Sequence, residues 1–254
     1  MLKSLLIMVL LLLATVSPTV LAKNHAHLPI IETSSERTAL VMSWRLGSEQ
    51  FSVLHEQLRK DFAKWGSSQR MVKNIFYRSH KQLFQEYRQY SLTQDTFISG
   101  SYDCVSGSLI LAGLLDYFGF DYEVIETTYH VFLKVALANE FIVLEVTDPE
   151  TGFIADRGAQ KAYLAKYSSG EGILNQWNVL TRNEGEAIPT IYRSIDLQNL
   201  IGLQYFNQAI NHYNNKNELL AYQYSVTALK MYRSERILDF SDFLKQNLLL
   251  SASR

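Results

Sequence analysis

The chain has 254 residues, with Lys plus Arg 24 against Asp plus Glu 25, so no charge field marks a nucleic-acid or anionic-surface partner. Its 15 Tyr and 13 Phe beside only 4 Pro and 12 Gly describe an aromatic-rich, mostly regular fold and exclude extended disorder. A single cysteine, Cys104, excludes an intramolecular disulfide.

At the N-terminus, Lys3 precedes an apolar run from Leu5 to Val16, Ser17-Pro18 breaks it, and Val20-Leu21-Ala22 offers small residues for cleavage. The run is short of the roughly 20 residues a spanning helix needs, so residues 1–22 read as a signal peptide cleaved after Ala22. An uncleaved N-terminal anchor is the rival reading. The mature chain is then periplasmic or secreted, with no stable membrane insertion. Residues 23–33 read as a linker, where His25 and His27 lack other nearby ligands and read as solvated rather than metal-binding.

From Ser35 to about Tyr90 the periodicity is helical. Phe51, Leu54, Leu58, Phe62 and Trp65 recur at spacings of three and four. Gly66-Ser67-Ser68 separates that helix from a second stripe, Met71, Ile75, Phe76, Leu83, Phe84 and Tyr87, which predicts helix up to Tyr90-Ser91. His55, His80 and His212 fall in helical stretches and read as surface or packing residues.

After Gly100 the character changes. Asp103 is a good N-cap for the apolar run Val105 to Phe118, which Gly119 ends. Three strands follow: Tyr122 to Glu126, His130 to Val135 and Glu140 to Val146. A helix followed by an antiparallel meander is an α+β arrangement.

This layout puts Cys104 in the first turn of a helix, His130 at a strand start, and Glu145 and Asp148 at the end of the next strand. A helix N-terminus favours a thiolate, and its amides can hold an oxyanion. A facing imidazole accepts the thiol proton and returns it to a leaving group, while a carboxylate beyond fixes its tautomer. Asp103 reads better as a cap than as a catalytic carboxylate, and Tyr102 and Tyr129 read as aromatic cleft walls, either of which could lend a hydroxyl to the oxyanion.

Asp103-Cys104-Val105-Ser106, Tyr129-His130-Val131-Phe132 and Val146-Thr147-Asp148-Pro149 resemble the three core motifs of the transglutaminase-like superfamily of papain-type cysteine enzymes. The resemblance covers residues 100–155 and implies Cys104 as nucleophile, His130 as base and acid, and Asp148 as the orienting carboxylate. Glu145 competes for the third role, since similar bacterial sequences carry an acidic residue there too. Val105 stands where eukaryotic transglutaminases commonly have tryptophan, which favours a hydrolase or small acyltransferase over a crosslinking enzyme.

Beyond Gly152 the sequence predicts a short helix from Ala155 to Ala165, breaks at Ser168-Gly172 and Asn183-Glu186, and an edge strand from Ile188 to Ile195, since Pro189 cannot donate to a ladder. Residues 34–195 are thus read as one transglutaminase-like domain. Residues 196–254 return to helix, and Ala209, Ala221 and Ala228 resemble the small-residue pattern of one tetratricopeptide repeat. That helical hairpin is expected to pack on the core or dock a protein partner.

The function expected is an exported cysteine peptidase or amidase, or acyltransferase, attacking an amide of a peptide or protein substrate without metal or organic cofactor. The alternative is an inactive transglutaminase-like scaffold that works through its helical C-terminal segment.

Overall fold

The computed structural model describes residues 33–138, 140–168 and 191–252. The signal-peptide and linker readings before Thr33, and the expected breaks and Pro189 within 169–190, lie outside them.

The elements in chain order are α1 (Ser34–Gly47), α2 (Glu49–Trp65), α3 (Gln69–Gln82), β1 (Glu86–Tyr87), α4 (Thr93–Ser99), β2 (Ser101–Tyr102), α5 (Cys104–Tyr117), β3 (Tyr122–Thr127), β4 (Val131–Leu137), β5 (Glu140–Leu144), β6 (Phe153–Ile154), α6 (Arg157–Ser168), β7 (Tyr192–Ile195), α7 (Leu197–Asn214), α8 (Glu218–Met231) and α9 (Glu235–Ala252). The protein is α+β, with an antiparallel five-stranded sheet in the order β6-β5-β4-β3-β7. β7 takes the edge beside β3, in keeping with the expected edge strand. Among the described residues no helix is long and apolar enough to cross a membrane.

Local chemistry sets the helix starts. Thr33, Ser48 and Ser68 each accept a backbone N–H in the first turn that follows, satisfying a donor with no partner inside the helix. The second helical stripe ends earlier than its periodicity predicts. α3 stops at Gln82, and Glu86–Tyr87 instead pairs in parallel with Ser101–Tyr102 through β1 and β2. Gly100, at φ +76°, makes the turn that brings the two segments together. Leu83 and Phe84 are buried as expected, but outside the helix, and the short α4 that follows was not foreseen.

α5 is buried on nearly every side from Val105 to Leu115, which makes it the central helix of the molecule. One face of the sheet packs on it. The other face, carrying Ile125, Phe132 and Val143, is covered by Tyr163 of α6. Covering both faces explains why β4 reads as a nearly continuous apolar run instead of alternating.

The C-terminal helices join the same core. One apolar cluster extends from Leu40 in α1 through α5 to Leu200, Phe206, Phe240 and Leu244. α7 meets the end of α8 at Gly202, where a Cβ would lie 2.5 Å from the Tyr232 Cβ. The fully buried Phe240 meets Phe206 and Tyr213 edge-on, at centroid distances of 5.7 and 5.8 Å. Phe240→Leu is therefore expected to cost about 1.5 kcal/mol. Urea unfolding followed by tyrosine fluorescence and far-UV circular dichroism checks it: coincident, equally shifted transitions are expected, whereas a separate early transition would mean that these helices unfold on their own.

Candidate active site

Asp103 closes the N-terminus of α5. Its carboxylate accepts from the Ser106 amide at 2.7 Å and the Ser106 hydroxyl at 2.9 Å, while Ser106 Oγ accepts from the Asp103 amide at 2.9 Å. This reciprocal box fixes where the helix begins, and so where Cys104 sits. The side chain of Asp103 is 2% exposed; burial pushes its carboxyl up despite the donors from Ser106, Val105 and Asn207. The Val105 and Ser106 amides are thus committed to the cap. The expectation that first-turn amides in general cradle an oxyanion does not hold for these two.

His130 ends the turn that joins β3 to β4. Thr127 closes that turn: its amide donates to the His130 carbonyl at 2.8 Å, and its hydroxyl accepts from the His130 amide at 3.0 Å. The imidazole shares a cleft with the Cys104 thiol and interacts with it electrostatically, and its Nε2 lies 2.5 Å from Glu145 Oε2. With Nε2 on Glu145, Nδ1 is the ring nitrogen left for the sulfur. Tyr167 of α6 stacks on the ring, centroids 6.0 Å apart and planes within 9°.

Glu145 follows β5 directly and is 6% exposed. Its Oε1 accepts from the Thr147 amide at 2.9 Å and from the Thr147 hydroxyl at 2.5 Å; the Tyr163 hydroxyl donates to Oε2 alongside His130. Burial opposes ionisation, yet His130 and these donors hold the carboxyl down at about 2. Burial likewise opposes charge on His130, but Cys104 and Glu145 hold the imidazole well above its ordinary value.

The carboxylate on His130 is therefore that of Glu145, and Asp148 stands apart. Asp148 lies in the following turn, where its side chain accepts from the Glu150 and Thr151 amides, at 3.1 and 2.8 Å, and from the Thr151 hydroxyl. Short polar residues make such turns for themselves. The Asp-Pro signature that carried the resemblance marks the turn behind the site, three residues past the side chain that reaches the ring.

The cleft above Cys104, about 90 Å³, is bordered by Tyr87, Tyr90, Tyr129, Asn207 and Arg236. Tyr129 is the cleft wall expected of it. Tyr102 is buried, its ring tilted against that of Phe84, and does not line the cleft. Tyr87 reaches the cleft because β1 pairs with β2 just ahead of Cys104; burial and then the neighbouring Cys104 and Asp103 push its hydroxyl up to about 12. Tyr90 has φ +66°, unusual for a bulky residue, and its carbonyl accepts from Gln208 of α7 at 2.6 Å. Asn207 and Arg236 come from the C-terminal helices, which therefore form one wall of the cleft.

The other histidines are packing residues where they are buried. His55 stands edge-on to Tyr117, and His80 lies among Phe76, Phe84 and Tyr102, where burial pulls it down to about 4. Among the described residues, no group of three or more His, Cys, Asp or Glu side chains is arranged to hold a metal ion. A wider groove of about 880 Å³ runs along α6 past Phe141 and Leu164 and does not include Cys104.

Of these participants, Thr147, Tyr163, Tyr167 and Arg236 escaped the sequence reading. Thr147 sits inside the quoted Val146-Thr147-Asp148-Pro149 motif, so a signal for it existed. Tyr163 and Tyr167 come from α6 and Arg236 from α9, and no local pattern marks them. No protein-family model, curated protein or solved structure matches the chain.

Proposed function

We propose that the protein is an exported cysteine hydrolase or acyltransferase of the transglutaminase-like kind, working through Cys104, His130 and Glu145 on an amide of a peptide or protein. The observation that carries the reading is the His130 imidazole set in one cleft with the Cys104 thiol and held at 2.5 Å by the buried Glu145 carboxylate. Nothing else in the core requires a raised imidazole between a sulfur and an ionised glutamate, and such groups cluster where chemistry is done.

In this reading the Cys104 sulfur attacks the acyl carbon, the C–N bond breaks, and the proton held on His130 passes to the departing amine. Water, or a second amine, then attacks the thioester carbon while His130 takes up its proton; the C–S bond breaks and His130 returns that proton to the departing sulfur. Glu145 stays ionised and stabilises the imidazolium. The export assignment rests on the sequence of residues 1–22. The pairing of Cys104 with His130 in one cleft favours this enzyme over the inactive scaffold.

The test is alkylation by iodoacetamide across pH, which reports on one site because Cys104 is the only thiol. Wild type is expected to react in mildly acidic solution, and His130→Ala only as pH approaches the ordinary thiol range of about 8.5. Identical profiles for the two proteins would sink the enzyme reading and leave the scaffold.

A further inference from the structure

We infer that Arg236, supplied by the C-terminal helix α9, is a positioning residue that clamps the His130 turn and sets a positive charge beside the thiol. The inference rests on the Cys104–His130 reading above.

Arg236 bridges the end of β3 and the turn that follows it. Its Nη2 donates to Glu126 Oε1 at 2.6 Å, and its Nη1 donates to the Thr128 carbonyl at 3.1 Å. Thr128 lies within the short turn that closes on His130, so the guanidinium braces the backbone that carries the imidazole. The fork geometry matters, because a planar guanidinium spans two acceptors that a single ammonium cannot serve together. The face of Phe206, 5.3 Å from the guanidinium carbon, fixes it further.

The charges are unequal. Glu126 is fully buried and already accepts from Arg193 Nε at 2.7 Å and the Tyr232 hydroxyl at 2.5 Å. Two guanidiniums thus meet one carboxylate, leaving one positive charge in excess. Arg236 borders the same cleft as Cys104 and His130, whereas Arg193 does not. Glu126, Arg193 and Tyr232 meet Arg236 in this cluster, and the cleft it borders also holds Asp103, Cys104, His130, Tyr87, Tyr90 and Tyr129. A cation in that position favours a thiolate and the negative charge that develops during attack. The arrangement also accounts for the helical extension sharing the core: without α9 the cleft loses the Arg236 guanidinium and the turn its clamp.

Removing Arg236 leaves Glu126 with Arg193 and Tyr232, so a folded variant is expected. In the full chain, Arg236→Met should slow iodoacetamide alkylation of Cys104 about 10-fold at pH 5.5 and move the profile to higher pH. Arg236→Lys, which keeps charge but loses the fork, should fall between. Arg193→Met, which disturbs Glu126 without touching Thr128, should lower the thermal midpoint yet move the profile less. A folded Arg236→Met with the wild-type profile overturns the inference, as does an equal shift in Arg193→Met. If Arg236→Met does not fold, a folded Arg236→Lys with an unchanged profile overturns it instead. Wild type matching His130→Ala would sink the enzyme reading itself, and wild type differing from His130→Ala while matching Arg236→Met sinks this inference alone.

Discussion

Glu145→Gln is expected to slow alkylation of Cys104 about 100-fold at pH 5.5, while Asp148→Asn should stay within about threefold of wild type. The glutamine keeps the shape of the side chain but removes the charge that holds the imidazolium beside the sulfur. In the Asp148→Asn variant the amide oxygen can still accept from the Glu150 and Thr151 amides, and Asp148 makes no contact with His130 to lose. Equal effects of the two substitutions would refute the assignment of Glu145 to the relay.

The same pair makes stability depend on pH in a defined sense. Glu145 is depressed to about 2, so its contribution is complete above the ordinary carboxyl value of 4.5 and is lost as pH falls through about 2. His130 is raised, so its contribution is complete below 6.5 and is lost as pH rises through its elevated value. The gap in urea midpoint between wild type and Glu145→Gln should therefore be widest near pH 5–6 and narrow as pH is lowered toward 2.5. A gap that widens in acid would contradict the ionised state of Glu145.

Gly152→Ala is expected to cost about 4 kcal/mol and about 10 °C in thermal midpoint. A Cβ there would stand 2.1 Å from the Glu145 carbonyl oxygen and 2.3 Å from that of Asp148. Both obstacles are backbone, so no rotamer change relieves them. The Gly152 amide also donates to the Asp148 carbonyl at 2.9 Å, and its carbonyl accepts from the Glu145 amide at 2.8 Å. Relief must therefore move the chain that carries Glu145. The variant should lose acid-range alkylation along with stability, and a loss below about 1 kcal/mol by chemical denaturation would show that the turn is looser than its contacts imply.

Sequence reasoning was strongest where the physics is local. Asp103 followed by an apolar run announces a capped helix, and Gly119 ends it because its φ of +71° suits glycine. Strand chemistry located β3, β4 and β5 to within two residues at their ends. It failed where a contact between distant segments overrode periodicity: Leu83, Phe84 and Tyr87 fit a helical stripe, but pairing with the segment ahead of Cys104 pulled them out of α3. It also left Glu145 and Asp148 unresolved, because strand alternation stops informing once the chain turns.

Spacing, capping and propensity within short windows were thus enough to specify the central helix with its thiol, the succession of strands, and the imidazole and two carboxylates as candidates. It took the folded chain to show that Glu145 meets His130, that Tyr163 and Tyr167 of α6 brace the pair, and that α7 and α9 wall the cleft with Asn207 and Arg236. Those contacts depend on how the two faces of the sheet are covered, and that packing joins residues whose separation along the chain leaves no periodic trace.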